Sequence, residues 1–174
     1  MATAISRPEG VEYAPYYDRY VSLVKGDDPL AALTSQIVET VRALKAIPED
    51  RGSYRYEPGK WSIREALGHM IDAERIFAYR ALRFSRNDAA ALPGFEQDDY
   101  VREGPYENCR LNDLIDEFAA VRATTTALFR NLSPEAWLRK GTASDNVMSV
   151  RAVAYVIAGH ELHHMNIFRE RYLG

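Results

Sequence analysis

The strongest constraint on the fold lies near the C-terminal end. Val153, Val156, Ile157, His160, His164, Ile167 and Phe168 recur at helical spacing, which predicts a helix with this stripe facing a core. Two members of the stripe are histidines four residues apart, in the string His160-Glu161-Leu162-His163-His164. On a helix such a pair sits one turn apart with Cβ atoms roughly 6 Å apart, within reach of one metal ion. An imidazole on a core-facing stripe needs a partner, because burying a polar group unpaired is costly. A backbone carbonyl or a carboxylate can satisfy each ring separately. The spacing of the pair points instead to a shared metal.

A stripe of this kind needs facing helices, and the chain supplies them. Asp28 and Pro29 read as N-cap and first helical residue. Leu30, Leu33, Ile37, Val41 and Leu44 then mark a helix that ends before Pro48. Ser62-Ile63-Arg64-Glu65 fits a capping box with Trp61 as its staple, opening a helix over about 62–86. Leu111, Leu114, Ile115, Phe118, Val121, Leu128 and Phe129 mark a third over about 110–132, and Ser149 caps the last, about 150–172. Ser133-Pro134-Glu135 starts a short helical turn through Trp137. The expected fold is all-α, a four-helix bundle, an architecture whose core commonly holds metals. Residues 1–27 form an N-terminal arm packed on the bundle, with a short helix over 15–24, and residues 1–174 form one domain. Loops are expected at 48–60 and 141–146, and no segment shows strand-like alternation. The connection 87–104, with Pro93-Gly94 and the acidic run Glu96-Gln97-Asp98-Asp99, is long enough to suggest a functional role.

Composition removes several classes of function. A net charge of −3 gives no basic stripe for nucleic acid, and no apolar run approaches a membrane span. No signal peptide is legible at the N-terminus, so a soluble, cytoplasmic protein is expected. Cys109 is the only cysteine, which rules out an intrachain disulfide and fits a structural role.

A metal on His160 and His164 needs at least a third ligand. Of the remaining histidines, His69 falls beside Ala66 and Ala73 at the margin of the apolar stripe of its helix, where small neighbours leave room for the ring to cross to a facing helix. His163 points about 100° away from His164 and is assigned to the surface or to the surroundings of the ligands. Three protein ligands leave a position open, the catalytic rather than the structural pattern. His160–His164 also satisfies H-E-x-x-H, with Glu161 as general base. Only ten residues follow His164 and none is a histidine, so a metalloprotease is disfavoured. Glu161–His164 also reads as the E-x-x-H of di-iron bundles, but Ala66 stands where a second copy needs Glu. Asp72, Arg80 and Arg83 continue the His69 side. Asp72 can orient the imidazole or bind a substrate group, but a solvated or salt-bridged carboxylate is the preferred reading; the two arginines can meet the carboxylate of a peptide-like thiol, but an exposed charged face is preferred.

YEPGKWSIREALGHMIDAER (Tyr56 to Arg75) and GHELHHMNIFRERY (Gly159 to Tyr172) resemble the corresponding helices of the DinB/YfiT-like metal-dependent enzymes. Pro93-Gly94-Phe95 before an acidic run is similar to members of the same family. The resemblance covers most of the chain from its first long helix onward. It implies a four-helix bundle with a divalent metal on three histidines, carried here onto His69, His160 and His164. It also implies a thiol-dependent S-transferase or isomerase, using a low-molecular-weight thiol such as bacillithiol, mycothiol or glutathione on a small electrophile. A homodimer is implied as well. Zinc, nickel or iron all suit three imidazoles. A metal-dependent hydrolase and a non-catalytic metal-binding protein are the rival readings.

Overall fold

The N-terminal arm is tied to the rest of the chain by charge. In this computed structural model, which describes residues 5–173, Glu12 accepts hydrogen bonds from Ser149 Oγ (2.6 Å) and Arg151 Nε (2.8 Å). Arg7 donates to the carbonyl of Val21 (2.9 Å) and to that of Val24. The expected helix over 15–24 is shorter: a 3₁₀ turn at Pro15–Tyr17 runs into α1, Asp18–Val21. Residues 1–4 of the expected arm lie outside the described residues.

The four long helices form where their caps and stripes predict. α2 spans Pro29–Lys45, with Asp28 accepting from the Ala31 N–H. α3 spans Ile63–Ser85 behind a complete capping box of Ser62 and Glu65. The connection after it contains α4, Gln97–Glu103. α5 spans Leu111–Arg130, and the short α6 spans Pro134–Leu138. α7 spans Val150–Ile167, capped by Ser149, and ends in a π-helical turn at Phe168–Tyr172. α2, α3, α5 and α7 make the four-helix bundle. No helix among the described residues is long and apolar enough to cross a membrane.

The loop expected at 141–146 is instead a hairpin. β1 (Lys140–Ala143) pairs antiparallel with β2 (Asn146–Ser149). Its two turn residues, Ser144 and Asp145, take φ values of 49° and 60°, the left-handed pair a tight hairpin requires. The hairpin anchors the 87–104 connection: Leu92 donates to Thr142 O (2.9 Å) and its carbonyl accepts from the Ser144 N–H (3.0 Å). α4 is thereby held near α3.

The buried apolar side chains form two groups. One gathers Leu33, Phe77, Phe84, Phe129, Trp137, Val153 and Ile157; the other gathers Leu44, Ile63, Leu67, Leu114, Phe118 and Phe168. Along α3 the division falls between Ile71 and Ala73, and along α7 between Ala158 and Met165. The buried polar residues His69, Glu74, Arg122, His160, Glu161 and His164 lie at this division.

Candidate metal centre

α3 brings His69 to α7, and the three histidines nominated from sequence come together. One ring nitrogen from each lies within 4.8 Å of those of the other two. His160 Nε2 is 3.1 Å from His69 Nε2 and 3.1 Å from His164 Nε2. A neutral imidazole nitrogen carries either one N–H or one lone pair. The central nitrogen therefore completes at most one linear hydrogen bond, and mutual bonding leaves the trio unsatisfied. A shared cation satisfies all three: tetrahedral ligands about 2.0–2.1 Å from zinc are roughly 3.3 Å from each other. The donor set thus fits a divalent metal.

Burial prepares the rings for this. His69 is 4 % exposed, not at the margin of its stripe. Burial, with the field of His163 added, pushes its pKa down to about 4. Burial and the neighbouring imidazoles hold His160 and His164 well below the usual histidine range. All three are neutral at pH 7 and keep their lone pairs, as metal ligation requires. Trp61 packs on His69, ring centres 4.8 Å apart, and Tyr20 packs edge-on to His160 at 5.3 Å. Gly159 permits that second contact. A Cβ there would stand 2.0 Å from the Tyr20 carbonyl oxygen, so the arm reaches the cluster only because position 159 has no side chain. His163 is half-buried, packs on Tyr20 at 5.3 Å and stays outside the cluster.

Glu161, the base of the H-E-x-x-H reading, is committed elsewhere. It is 2 % exposed, and Arg122 Nη1 donates to its Oε2 at 2.6 Å. Arg122 also grips both oxygens of Glu74, at 2.8 Å each, and donates to Leu33 O. Burial opposes the charge of Arg122, but the two carboxylates reverse that effect and raise its pKa. Burial raises the pKa of Glu161, partly offset by Arg122. Sequence reasoning missed Arg122; a lone arginine on the Phe118–Val121 stripe of α5 was the available signal. Asp72 is salt-bridged rather than an orienter of His69: it accepts from the Tyr106 hydroxyl and lies 3.8 Å from Arg75.

Two clefts reach the histidines. The first, about 300 Å³, touches His69 and His160 and is walled by Tyr17, Tyr20, Phe77 and Phe95. The second, about 350 Å³, touches His164 and is walled by Tyr56, Trp61, Phe168 and Tyr172, with Lys60 at its edge. Asp98, exposed on α4, stands on the rim of both. Arg80 is not on an exposed face. It is 2 % exposed and lines the first cleft. Arg83 does lie outside, paired with Asp88. The tyrosines of the arm and the residues of α4 were not nominated individually. The acidic run Glu96-Gln97-Asp98-Asp99 was the sequence signal for α4, and the pair Tyr16 and Tyr20, four residues apart, was the one available for the arm.

Solved structures share this architecture at low sequence identity. YfiT from Bacillus subtilis, described as a probable metal-dependent hydrolase with an unusual four-helix bundle topology, superposes with a TM-score of 0.72 at 13% identity, over 93% of this chain and 91% of its own. A mycothiol-dependent maleylpyruvate isomerase aligns with a TM-score of 0.67 at 10% identity, over 87% of this chain and 66% of its own. A DinB-like protein from Bacillus subtilis aligns with a TM-score of 0.58 at 20% identity, over 81% and 87% of the two chains. No curated protein sequence matches significantly. At these identities the likenesses establish the fold. The sequence itself matches the DinB superfamily over residues 32–168, from within α2 to the end of α7, and the chain belongs to that superfamily.

Proposed function

We propose that the chain is a metal-dependent enzyme that joins a low-molecular-weight thiol to a small electrophile, with His69, His160 and His164 as the metal ligands. The observation that carries this reading is the pair of clefts at the histidine cluster, one touching His69 and His160 and the other His164. Two clefts suit two substrates; hydrolysis needs room for one substrate and a water. A divalent ion bound by the three rings would lower the pKa of a thiol or water that joins it. The protein's own part is positional. Three neutral ligands leave the charge of the ion undiminished, and aromatic rings together with Arg80, Glu96 and Asp98 shape the cleft beside it. The Trp61 and Tyr20 rings fix the planes of His69 and His160. The mycothiol dependence of one structural neighbour supports a thiol substrate, and a bacillithiol or glutathione substrate belongs to the same class.

Hydrolysis is the second reading, favoured by the description of YfiT. The commitment of Glu161 to Arg122 removes the base that the sequence motif offered it. The two readings separate on cobalt-substituted protein. A matching thiol should change the visible spectrum through sulfur-to-metal charge transfer, and turnover with electrophiles should require that thiol. An unchanged spectrum with bacillithiol, mycothiol and glutathione, together with thiol-independent ester or amide cleavage, would replace the transferase by the hydrolase.

A further inference from the structure

Arg80 is a buried cation that its own protein does not neutralise. It is 2 % exposed, yet it forms no ion pair among the described residues. Its Nη2 donates to two neutral acceptors, Pro93 O at 3.2 Å and Ser144 Oγ at 3.0 Å. Neither Nε nor Nη1 has an acceptor among the described residues. The contrast with Arg122 is direct: that equally buried guanidinium is enclosed by two carboxylates. Its unbonded N–H groups are not sealed from solvent but open onto the cleft, so a guanidinium with no counter-ion there is a place where an anion can bind.

The cleft indicates which anion. Arg80 lines the same cavity as His69 and His160. The Phe77 ring is near both, its centre 5.4 Å from the guanidinium carbon and 6.3 Å from the His160 ring. Tyr17, Tyr20 and Phe95 complete aromatic walls. Glu96 and Asp98 also line this cleft without pairing with Arg80. The hairpin turn and the Pro93 carbonyl hold the guanidinium by one nitrogen, leaving other N–H groups to bind. A guanidinium edge matches the two oxygens of a carboxylate, which an ammonium cannot do.

The geometry points to Arg80 as the carboxylate receptor of the first cleft, selecting a substrate with a flat apolar body, a carboxylate on Arg80 and its reacting end toward the histidines. This rests on the proposed reading only in taking that cleft as the substrate entrance; anion binding itself needs no metal. It is therefore tested on the full chain both zinc-loaded and stripped of metal, by calorimetric titration with 3-phenylpropionate and its uncharged amide.

Stripped wild-type protein should bind the acid at least tenfold more tightly than the amide. Arg80→Met should bring the two to within twofold, with Arg80→Lys between them. Metal content, measured in parallel by elemental analysis, should be the same in all three proteins, so a failure of the metal reading registers separately. Equal binding of acid and amide by wild type, no binding of either at millimolar concentration, or an acid preference that survives in Arg80→Met would overturn the assignment. An acid preference confined to zinc-loaded protein would also overturn it, since the carboxylate would then be on the metal. Arg80→Met that fails to fold leaves the wild-type comparison decisive.

Discussion

His69→Ala, His160→Ala and His164→Ala are each expected to remove most of the metal bound by wild type, while His163→Ala retains it; elemental analysis after dialysis reads the difference. Metal retained by His69→Ala at the wild-type level would remove α3 from the site. Arg122 behaves differently. Arg122→Met would leave Glu74 and Glu161 buried without their cation, and breaking such a pair costs about 3–5 kcal/mol. In a chain of this length that lowers Tm by roughly 6–20 °C. Glu161→Gln keeps the Arg122–Glu74 pair and should leave metal content unchanged. The three histidines were legible because two share a helix face and the third has alanines as neighbours. The Arg122 network was not, because its members come from three helices and no local spacing connects them.

Each long helix is written in its sequence by caps and an apolar stripe, which is why α2, α3, α5 and α7 fall within a few residues of expectation. The hairpin is not. Ser144-Asp145 lacks the glycine that usually marks such a turn, and its strands of four residues are too short for alternation to show. The junction of arm and α7 depends on a contact that sequence conceals altogether, the Tyr20 backbone against Gly159. Gly159→Ala must push that backbone away. Overpacking of this kind costs about 1–3 kcal/mol. The expected result is a lower Tm together with faster proteolysis near residues 20–26, and an unchanged cleavage pattern would show that the close approach does not hold the arm.

Across the whole molecule, two sets of groups link stability to pH in separate windows. His69 has a pKa of about 4 folded against 6.5 unfolded, and His160 and His164 are depressed as well. The unfolded chain takes up these protons first, so metal-free protein is unaffected above about pH 6.5 and loses stability as pH falls from there toward 4. Glu12 has a pKa of about 2 folded against 4.5 unfolded; burial alone would raise it, and the bonds from Arg151 and Ser149 outweigh that. Its contribution is complete above about 4.5 and is lost as pH falls through 2. Excess zinc should shift the first window downward and leave the second in place, which urea titrations across pH can measure. Acid unfolding indifferent to zinc throughout would argue against metal on the histidines.

The polar layer between the two apolar groups also acts as a vernier. Sliding α7 past α3 by one turn, 5.4 Å, would carry His160, His164 and Glu161 out of level with His69 and Arg122 and drive charges against hydrocarbon. The apolar contacts alone would penalise such a slip far less, since one turn of Leu, Ile and Phe resembles the next. Replacing the ionic members together by Glu74→Leu, Arg122→Met and Glu161→Leu should therefore maintain or raise Tm, as apolar substitution of buried ion networks often does. The same variant should lose alignment between the helices. Its amide NMR spectrum is expected to broaden or double, and its metal affinity to fall although every histidine remains. A single sharp spectrum with full metal content would mean that side-chain packing alone keeps the helices in step.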